Sequence, residues 1–218
     1  MKKPERILEL RRREMVETLE GYGIANRRVL DAFGEVQRHF FLAEESVDAA
    51  YADSAYPIGF GQTISQPYTV AYMTSLLVER SPSGKVLEVG TGSGYQAAVL
   101  GALGYSVFTV ERIYELYERA KKLFLRLGLD IAVRFGDGTL GWKEEAPFDG
   151  VIVTAGAPAE PESLLHQLAD NGTMVIPIGD FASQQMTVFR KVGDAIEREE
   201  FQRFSFVPLV GREGWTEE

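Results

Sequence analysis

The sequence VLEVGTGSGY, residues 86–95, sets the architecture of this chain. Its first four residues are mostly apolar and predict a buried strand, and the apolar segment 97–103 behind it predicts a helix. Three glycines separate the strand from the helix: Gly90, Gly92 and Gly94. Glycine lets the backbone adopt positive φ and approach a ligand closely, and a helix N-terminus presents free N–H groups. The stretch therefore predicts a ligand-binding turn, with a tight turn that binds nothing as the alternative.

The spacing of the glycines indicates which ligand this turn suits. A dinucleotide-binding turn has the pattern G-x-G-x-x-G, whereas here the third glycine comes one position early and Tyr95 follows it. Together with the acidic Glu88, the pattern G-x-G-x-G resembles motif I of the S-adenosylmethionine-dependent methyltransferases. The amino-acid tail of that cofactor carries a carboxylate and an ammonium, which suit a tight turn beside an acid. The cofactor-binding residues expected here are Glu88, Gly90, Thr91, Gly92, Ser93 and Gly94.

An acidic residue ends the next predicted strand, residues 105–111. Glu111 follows Gly90 by 21 positions. An acid about 20 positions after the first glycine can accept hydrogen bonds from ribose hydroxyls. A solvated acid at a strand end is the alternative, and the glycine turn at this distance favours ribose binding.

Further strands alternate with helices along the rest of the chain. Strands are predicted over 131–135, 148–154 and 174–179, and a helix is predicted over 160–170. The alternation predicts an α/β fold with a doubly wound, mostly parallel sheet, as in the Rossmann-like methyltransferases. Alternating apolar residues over 184–210 predict an antiparallel pair of strands that closes one edge of this sheet.

The carboxyl ends of the parallel strands should line one cleft. Ligands of such sheets bind beyond these ends, where the strand order reverses. The ends of the first four strands are Gly90, Glu111, Asp137 and Thr154. Asp137, with Gly138 beside it, could accept a hydrogen bond from the adenine amino group, and a turn aspartate before a glycine is the alternative. Asp137, Gly138 and Thr154 are therefore further expected cofactor-binding residues.

The N-terminal part of the chain differs in character from the rest. Helices are predicted over 5–20 and 26–36. The segment 48–68 is rich in tyrosine, glycine and small polar residues without helical or strand periodicity, which predicts an ordered surface loop that carries function. We therefore expect two regions. Residues 1–83 form a helical and substrate-loop region, residues 84–218 form the cofactor-binding core, and together they make one compact unit.

The composition excludes several classes of protein. The 218 residues, 45% hydrophobic, suit one α/β unit, and the net charge of −9 argues against general nucleic-acid binding. No run of 18 apolar residues predicts a membrane span, and the charged N-terminus lacks an apolar signal core. The absence of cysteine excludes disulfides, and two distant histidines, His39 and His166, argue against a metal site, with a site built from carboxylates as the alternative. We expect a cytoplasmic monomer without metal, nucleic-acid or membrane partners.

Five motifs resemble one family along nearly the whole chain. They are GQTISQPY (61–68), VLEVGTGSGYQAAVL (86–100), GDGTLGW (136–142), APFDGVIVTAGAP (146–158) and FVPLVG (206–211). The second motif is common to many methyltransferases, whereas the first, third and fourth in this order and spacing are highly specific. On these motifs the chain resembles the protein-L-isoaspartate (D-aspartate) O-methyltransferase family. Three residues depart from the family's usual pattern: Leu42, Tyr56 and Gly156.

The resemblance implies a protein repair enzyme. Asparagine deamidation and aspartate isomerisation produce isoaspartyl residues, and this family methylates their free α-carboxylate with S-adenosylmethionine, leaving S-adenosylhomocysteine. The ester then collapses to a succinimide, which reopens partly to normal aspartate. The implied substrates are proteins and peptides that contain isoaspartate. The three departures bear on substrate preference more than on activity.

Ser65 is the expected catalytic residue, because by resemblance it occupies the position of the family's active-site serine. Its hydroxyl would hydrogen-bond the acceptor carboxylate and orient one oxygen. A serine that caps the helix beginning near Pro67 is the alternative. The expected substrate-binding residues are Thr63, Ile64, Ser65, Val207, Pro208 and Leu209.

Other functions share parts of this pattern. A methyltransferase of another carboxylate or a small-molecule acceptor would have the same cofactor residues and would differ in 48–68 and the C-terminal segment. A binding module without activity could use the same fold. A nicotinamide dehydrogenase is disfavoured by the glycine spacing.

Overall fold

The structure is a computed structural model that describes residues 5–43, 47 and 49–216. The α-helices of this part of the chain are α1 (Glu5–Gly21), α2 (Arg27–Glu35), α3 (Pro67–Arg80), α4 (Tyr95–Ala102), α5 (Tyr114–Leu127) and α6 (Glu162–His166). Its strands are β1 (Tyr56–Gly59), β2 (Gln62–Ile64), β3 (Lys85–Val89), β4 (Ser106–Glu111), β5 (Ile131–Phe135), β6 (Phe148–Val153), β7 (Leu168–Gly179), β8 (Gln184–Val192) and β9 (Ala195–Phe204).

Seven strands form one sheet in the order β5-β4-β3-β6-β7-β8-β9. The pairs from β5 to β7 are parallel, whereas β7–β8 and β8–β9 are antiparallel. The sequence runs outward from β3 to β5 on one side and from β6 to β9 on the other, so the strand order reverses between β3 and β6. The predicted doubly wound α/β fold with an antiparallel C-terminal edge is confirmed.

The central strands are apolar because helices cover both faces of the sheet. In β3, Val86, Leu87 and Val89 are at most 1% exposed. Helix α5 shows the other common pattern, in which one apolar face packs on the sheet. Its Phe124 is buried while the neighbouring Leu125 is 84% exposed. These burial patterns give the sheet a hydrophobic layer on each side.

The N-terminal helices pack on the sheet through the same core as α4. One cluster of buried side chains joins Leu19 of α1, Phe33 of α2 and Leu77 of α3 to Val86 and Ile152 of the sheet. Residues from before and after position 84 therefore share one hydrophobic core. Within the described part of the chain, no helix is both long and apolar enough to cross a bilayer.

Predictions for two segments are wrong in kind or in length, and a third segment is shorter than predicted. The segment 48–68, of which residue 48 lies outside the described residues, is not without strand structure, because β1 and β2 form an antiparallel hairpin within it. The helix predicted over 160–170 is only α6, five residues long, because β7 begins already at Leu168 and extends the strand expected at 174–179. The antiparallel pair predicted over 184–210 ends at Phe204.

The turn between β3 and α4 depends on a glycine at position 94. Gly94 has φ +87°, and a Cβ built there would lie 2.5 Å from the Phe124 ring. Gly101, inside α4, has nothing within 4 Å of such a Cβ. Position 94 is thus closed to larger residues, whereas position 101 is open.

We expect Gly94→Ala to lower the free energy of unfolding by about 2–4 kcal/mol, because alanine meets both the left-handed backbone and the Phe124 ring. Gly101→Ala, the matched control, should raise that free energy by about 0.5–1 kcal/mol, since alanine favours a helix interior. Urea unfolding followed by circular dichroism measures both. Equal midpoints for the two variants would contradict this account of the turn.

Candidate active site

A cleft opens beyond the carboxyl ends of β3, β4 and β6. One lobe of it contains Glu111, Gly138 and the closing segment 207–210, and the other contains Ser65 and Glu88. Both lobes share four lining residues: Thr63, Gly90, Gly92 and Thr154. The expected cofactor turn and the expected catalytic serine therefore lie in one cleft, at the point where the strand order reverses.

The glycine turn is held tightly by β4 and β6. Gly90 N donates to Val110 O at 2.9 Å, and the Thr154 hydroxyl donates to the carbonyls of Val89 and Gly90 at 3.0 and 2.8 Å. A Cβ on Gly90 would lie 2.6 Å from that hydroxyl oxygen. Since φ at Gly90 is also +96°, only glycine fits this approach of two strands.

Glu111 supports the glycine turn from the end of β4. Its Oε2 accepts a hydrogen bond from Gly92 N at 2.8 Å and its Oε1 accepts one from Ile113 N at 2.9 Å. Glu111 is 5% exposed, so it is not a solvated strand-end acid. Each carboxylate oxygen has two lone pairs, so both can accept a further hydrogen bond in the cleft.

Glu88 is a buried acid, and one of its carboxyl oxygens has no hydrogen-bond partner in the described part of the chain. The Thr109 hydroxyl donates to Glu88 Oε2 at 2.5 Å, whereas Oε1 has no hydrogen-bond partner among the described residues. Glu88 is 0% exposed and burial raises its pKa to about 8. Because an unpaired buried carboxylate is costly, this side chain favours either a proton or a cationic partner.

Asp137 is engaged in the turn that follows β5. Its Oδ1 accepts from the amide and hydroxyl of Thr139 at 2.9 and 2.7 Å, and its Oδ2 accepts from Arg212 N at 2.8 Å. Asp137 therefore has the role of a turn aspartate, which was the alternative to a hydrogen bond with adenine. Asp137 lines side cavities next to the main cleft, whereas Gly138 lines the cleft itself.

Ser65 lies between β2 and α3 and is half-buried. The N-cap of α3 is Gln66, and the N–H of Tyr68 donates to Asp53 Oδ1 at 2.8 Å. Asp53 Oδ2 also accepts from Gln66 Nε2 at 2.7 Å. Asp53 thus performs the capping that was the alternative role for Ser65. Thr63 and Ile64 precede Ser65 along the same lobe.

The closing segment 207–209 reaches the cleft by pairing with Gly156. Gly156 N donates to Val207 O, and Leu209 N donates to Gly156 O, both at 2.8 Å. The Trp215 indole adds a hydrogen bond to Gly156 O at 3.0 Å. Val207, Pro208 and Leu209 consequently line the lobe that contains Glu111.

The presence of Gly156, one of the three residues that depart from the family's usual pattern, has a steric reason. A Cβ at position 156 would lie 2.8 Å from Cδ of Gln184, whose Oε1 accepts a hydrogen bond from Phe206 N at 2.8 Å. Glycine therefore leaves room for the glutamine that holds the chain as it leaves β9. Tyr56 lies in β1, and Leu42 follows the 3₁₀ turn Arg38–Phe41.

Sequence reasoning missed several residues that shape this site. Asp53 accepts a hydrogen bond from Tyr68 N, the Thr109 hydroxyl donates to Glu88, and Arg38 donates to Ser65 O. The partners in each pair are 12 or more positions apart, so no local pattern marked these residues. A charged residue within the aromatic run 38–41 was the one available signal for Arg38. Among the described residues, no group of three or more His, Asp or Glu side chains could hold a metal ion.

The raised pKa of Glu88 predicts a pH-dependent stability. Between its ordinary value of 4.5 and its folded value of about 8, the folded protein binds a proton that the unfolded chain has released. Stability therefore falls as pH rises through this window, by up to about 1.4 kcal/mol per pH unit, and this effect levels off above the folded pKa.

We expect Glu88→Gln to remove this dependence in the ligand-free protein, because glutamine keeps the shape and does not ionise. Urea unfolding at a series of pH values measures the stability gained by the variant. The gain should grow from pH 6 to pH 8 and then stay constant, with Glu144→Gln on the exposed surface as the control. Parallel stability curves for wild type and Glu88→Gln would rule out a buried, proton-binding Glu88.

Sequence comparison places the chain among known proteins. The model of the family "Protein-L-isoaspartate(D-aspartate) O-methyltransferase" matches residues 10–214. A protein-L-isoaspartate O-methyltransferase of Pelodictyon phaeoclathratiforme is 70% identical over 217 residues, which cover 100% of this chain and 99% of that protein. One of Chlorobaculum tepidum is 65% identical over 206 residues, covering 94% of this chain and 97% of that protein.

Comparison of structures agrees with this. A solved protein-L-isoaspartate O-methyltransferase superposes with a TM-score of 0.84 and 28% identity, over 93% of this chain and 67% of that one. A putative enzyme of the same name from Plasmodium falciparum, solved in complex with S-adenosyl-L-homocysteine, shares the fold at a TM-score of 0.79. That likeness has 24% identity and covers 90% of this chain and 97% of the other. The chain belongs to the protein-L-isoaspartate (D-aspartate) O-methyltransferase family.

Proposed function

We propose that this chain repairs damaged proteins by transferring the methyl group of S-adenosylmethionine to the free α-carboxylate of L-isoaspartyl residues. The observation that carries the proposal is the single cleft that contains both the glycine turn and Ser65, in a chain of this family. The product is a methyl ester, which closes to a succinimide without the enzyme because the neighbouring amide nitrogen displaces methanol. Reopening of the succinimide gives normal aspartate in part.

The residues of the cleft fit the proposed cofactor. The free Oε1 of Glu88 suits the ammonium of an amino-acid tail, and the glycine turn gives the backbone room for its carboxylate. Glu111 can accept hydrogen bonds from ribose hydroxyls while it holds Gly92. When bound, S-adenosylmethionine supplies an electron-poor methyl carbon on a sulfonium. The remaining residues proposed for this part of the site are Thr91, Ser93, Gly94, Asp137, Gly138 and Thr154.

The acceptor needs no strong general base. A carboxylate with a pKa of about 4 is already ionised at neutral pH. Both histidines, His39 and His166, lie outside the residues that line the cleft, which agrees with this chemistry. In the proposal Ser65 donates its hydroxyl hydrogen to the carboxylate and orients one oxygen for attack. Orientation of this kind can supply roughly 7–11 kcal/mol of rate enhancement.

The substrate backbone is proposed to lie between Thr63–Ile64 and the closing segment 207–209. Both segments line the cleft, and both are held by main-chain pairing, Thr63 with Pro57 and Leu209 with Gly156. A peptide passing between them would present its isoaspartyl side to Ser65. The proposed division of labour is an acceptor region, 1–83, and a cofactor core, 84–218, in one compact unit.

The proposal includes the setting in which the enzyme acts. The chain works as a monomer in the cytoplasm, on isoaspartyl proteins and peptides, without nucleic-acid or membrane partners. The net charge of −9 and the absence of cysteine support this setting.

Methyl transfer from labelled S-adenosylmethionine to matched peptides tests the proposed function. We expect label to enter a peptide that contains isoaspartate and to be absent from the same peptide with normal aspartate. The label should leave as methanol in base, because the product is an ester. Methyl transfer to a small carboxylic acid, without transfer to the isoaspartyl peptide, would favour a methyltransferase of another acceptor.

We expect Ser65→Ala to lower kcat on the isoaspartyl peptide by about 10-fold to 100-fold, because the carboxylate loses a hydrogen bond that orients it. The dissociation constant of S-adenosylhomocysteine, measured by calorimetry, should stay within a factor of two. Ser163→Ala, whose hydroxyl bonds Glu213 away from the cleft lobes, is the control. Unchanged kcat would remove Ser65 from the mechanism.

Glu111→Ala should weaken binding of S-adenosylhomocysteine by about 1.5–3 kcal/mol, since hydrogen bonds to the ribose and the support of Gly92 are lost together. Titration calorimetry measures the change. Glu115→Ala, on the first turn of α5 and without a place in the cleft lining, is the matched control. Equal affinity for the two variants would overturn the assignment of Glu111.

A further inference from the structure

Arg38 is a buried charged residue next to the main chain of Ser65. It opens the 3₁₀ turn Arg38–Phe41 and is 0% exposed. Burial of a guanidinium is costly, and here it lowers the pKa of Arg38 from its ordinary value. Nη1 of Arg38 has no hydrogen-bond partner among the described residues, so the contacts of Nε and Nη2 are what offsets the lost hydration.

The guanidinium of Arg38 holds the chain segment that ends at Ser65. Its Nε donates to Ala50 O at 2.9 Å and its Nη2 donates to Ser65 O at 2.8 Å. A longer contact joins Nη2 to Ser54 O at 3.5 Å. One side chain therefore ties both ends of the segment 50–65 to the protein interior.

The same guanidinium lies against the start of the cofactor helix. Its Cζ is 4.7 Å from the ring centroid of Tyr95, the first residue of α4. Phe33 and Phe41 pack edge-on against that ring, with centroids 6.0 and 5.6 Å away. Because Tyr95 is 1% exposed, the contact has little freedom to shift. Arg38 thus touches the glycine-turn helix on one side and the main chain of Ser65 on the other.

We propose that Arg38 is a positioning residue, which sets the distance between Ser65 and the glycine turn. The proposal rests on the proposed function, in which those two parts hold the acceptor and the methyl donor. Misplacement of reacting groups by about 1 Å can cost 100-fold in rate. A planar guanidinium that bonds two carbonyls and lies over a ring fixes that distance, whereas a lysine ammonium is a point charge on a flexible stem and lacks the rigid fork of donors.

The test compares Arg38→Lys with a matched control, Arg28→Ala. Arg28 also donates to two main-chain carbonyls, those of Pro82 and Leu103 at 2.9 and 3.1 Å, but these lie away from the cleft. We expect Arg38→Lys to lower kcat on the isoaspartyl peptide by about 10-fold to 100-fold. The dissociation constant of S-adenosylhomocysteine should change by less than a factor of three, and Arg28→Ala should leave kcat unchanged.

A double-mutant cycle separates positioning from general damage. If Arg38 acts through Ser65, Arg38→Lys should change kcat by less than a factor of three in a Ser65→Ala background. Multiplication of the two effects, or loss of cofactor affinity in step with kcat, would overturn the proposal. Wild-type kcat in Arg38→Lys would overturn it as well.

Amide hydrogen exchange tests the positioning without the reaction. Exchange over residues 50–65 should accelerate at least 10-fold in Arg38→Lys, with residues 90–95 little changed and Arg28→Ala like wild type. If the wild-type chain fails to methylate isoaspartate, the proposed function fails while this measurement still decides about Arg38. Unaltered exchange over 50–65 would show that the guanidinium does not hold the segment. Arg38→Ala with added guanidinium, which should restore protection, covers the case in which the lysine variant unfolds.

Discussion

The approach of β6 to the turn after β3 is the contact on which the site depends. Thr154 reaches across it to bond the carbonyls of Val89 and Gly90, and a single Cβ at position 90 would fill the gap. The strand order reverses at this point, so the chains that follow β3 and β6 leave in opposite directions and open a cleft. Every other part of the candidate site is placed relative to this turn.

Hydrogen bonds within the protein satisfy most polar groups around the turn, but three buried atoms of the described residues in the Ser65 lobe have no partner: Glu88 Oε1, the Tyr95 hydroxyl and Gln96 Oε1. Glu111 accepts from the turn itself, and Thr109 serves the buried carboxyl of Glu88. Of these three atoms, Oε1 of Glu88 is the carboxyl oxygen and thus the one that can carry negative charge beside the cleft. A fold that leaves one buried carboxylate oxygen free gains free energy when a cation arrives there. This asymmetry favours a ligand that carries a positive charge over a pyrophosphate, in agreement with the glycine spacing.

Local patterns sufficed for the sheet and the glycine turn, but not for the acceptor side. The apolar run before Gly90 and the acid at Glu111 are signals within about 25 residues, and both lie in the cleft. The hairpin β1–β2 was missed because its strands, four and three residues long, are too short to show a period in the sequence. The early start of β7 was missed because the polar Asp170 and Asn171 lie near its beginning. Arg38 and Asp53 act on residues distant in sequence, so their roles exist only in the folded chain.

The chemistry of methyl transfer explains why the proposed site mainly orients the methyl donor and the acceptor carboxylate. Transfer from a sulfonium to a carboxylate cancels two charges, so the transition state carries less charge than the separated reactants and offers little for an oxyanion-type site to stabilise. Proton transfer is not needed either, because the acceptor is already ionised. What remains for the protein is to bring two groups into line and exclude water. In the function and the role of Arg38 proposed above, main-chain pairing at Thr63 and Leu209 and the buried guanidinium of Arg38 serve this placement.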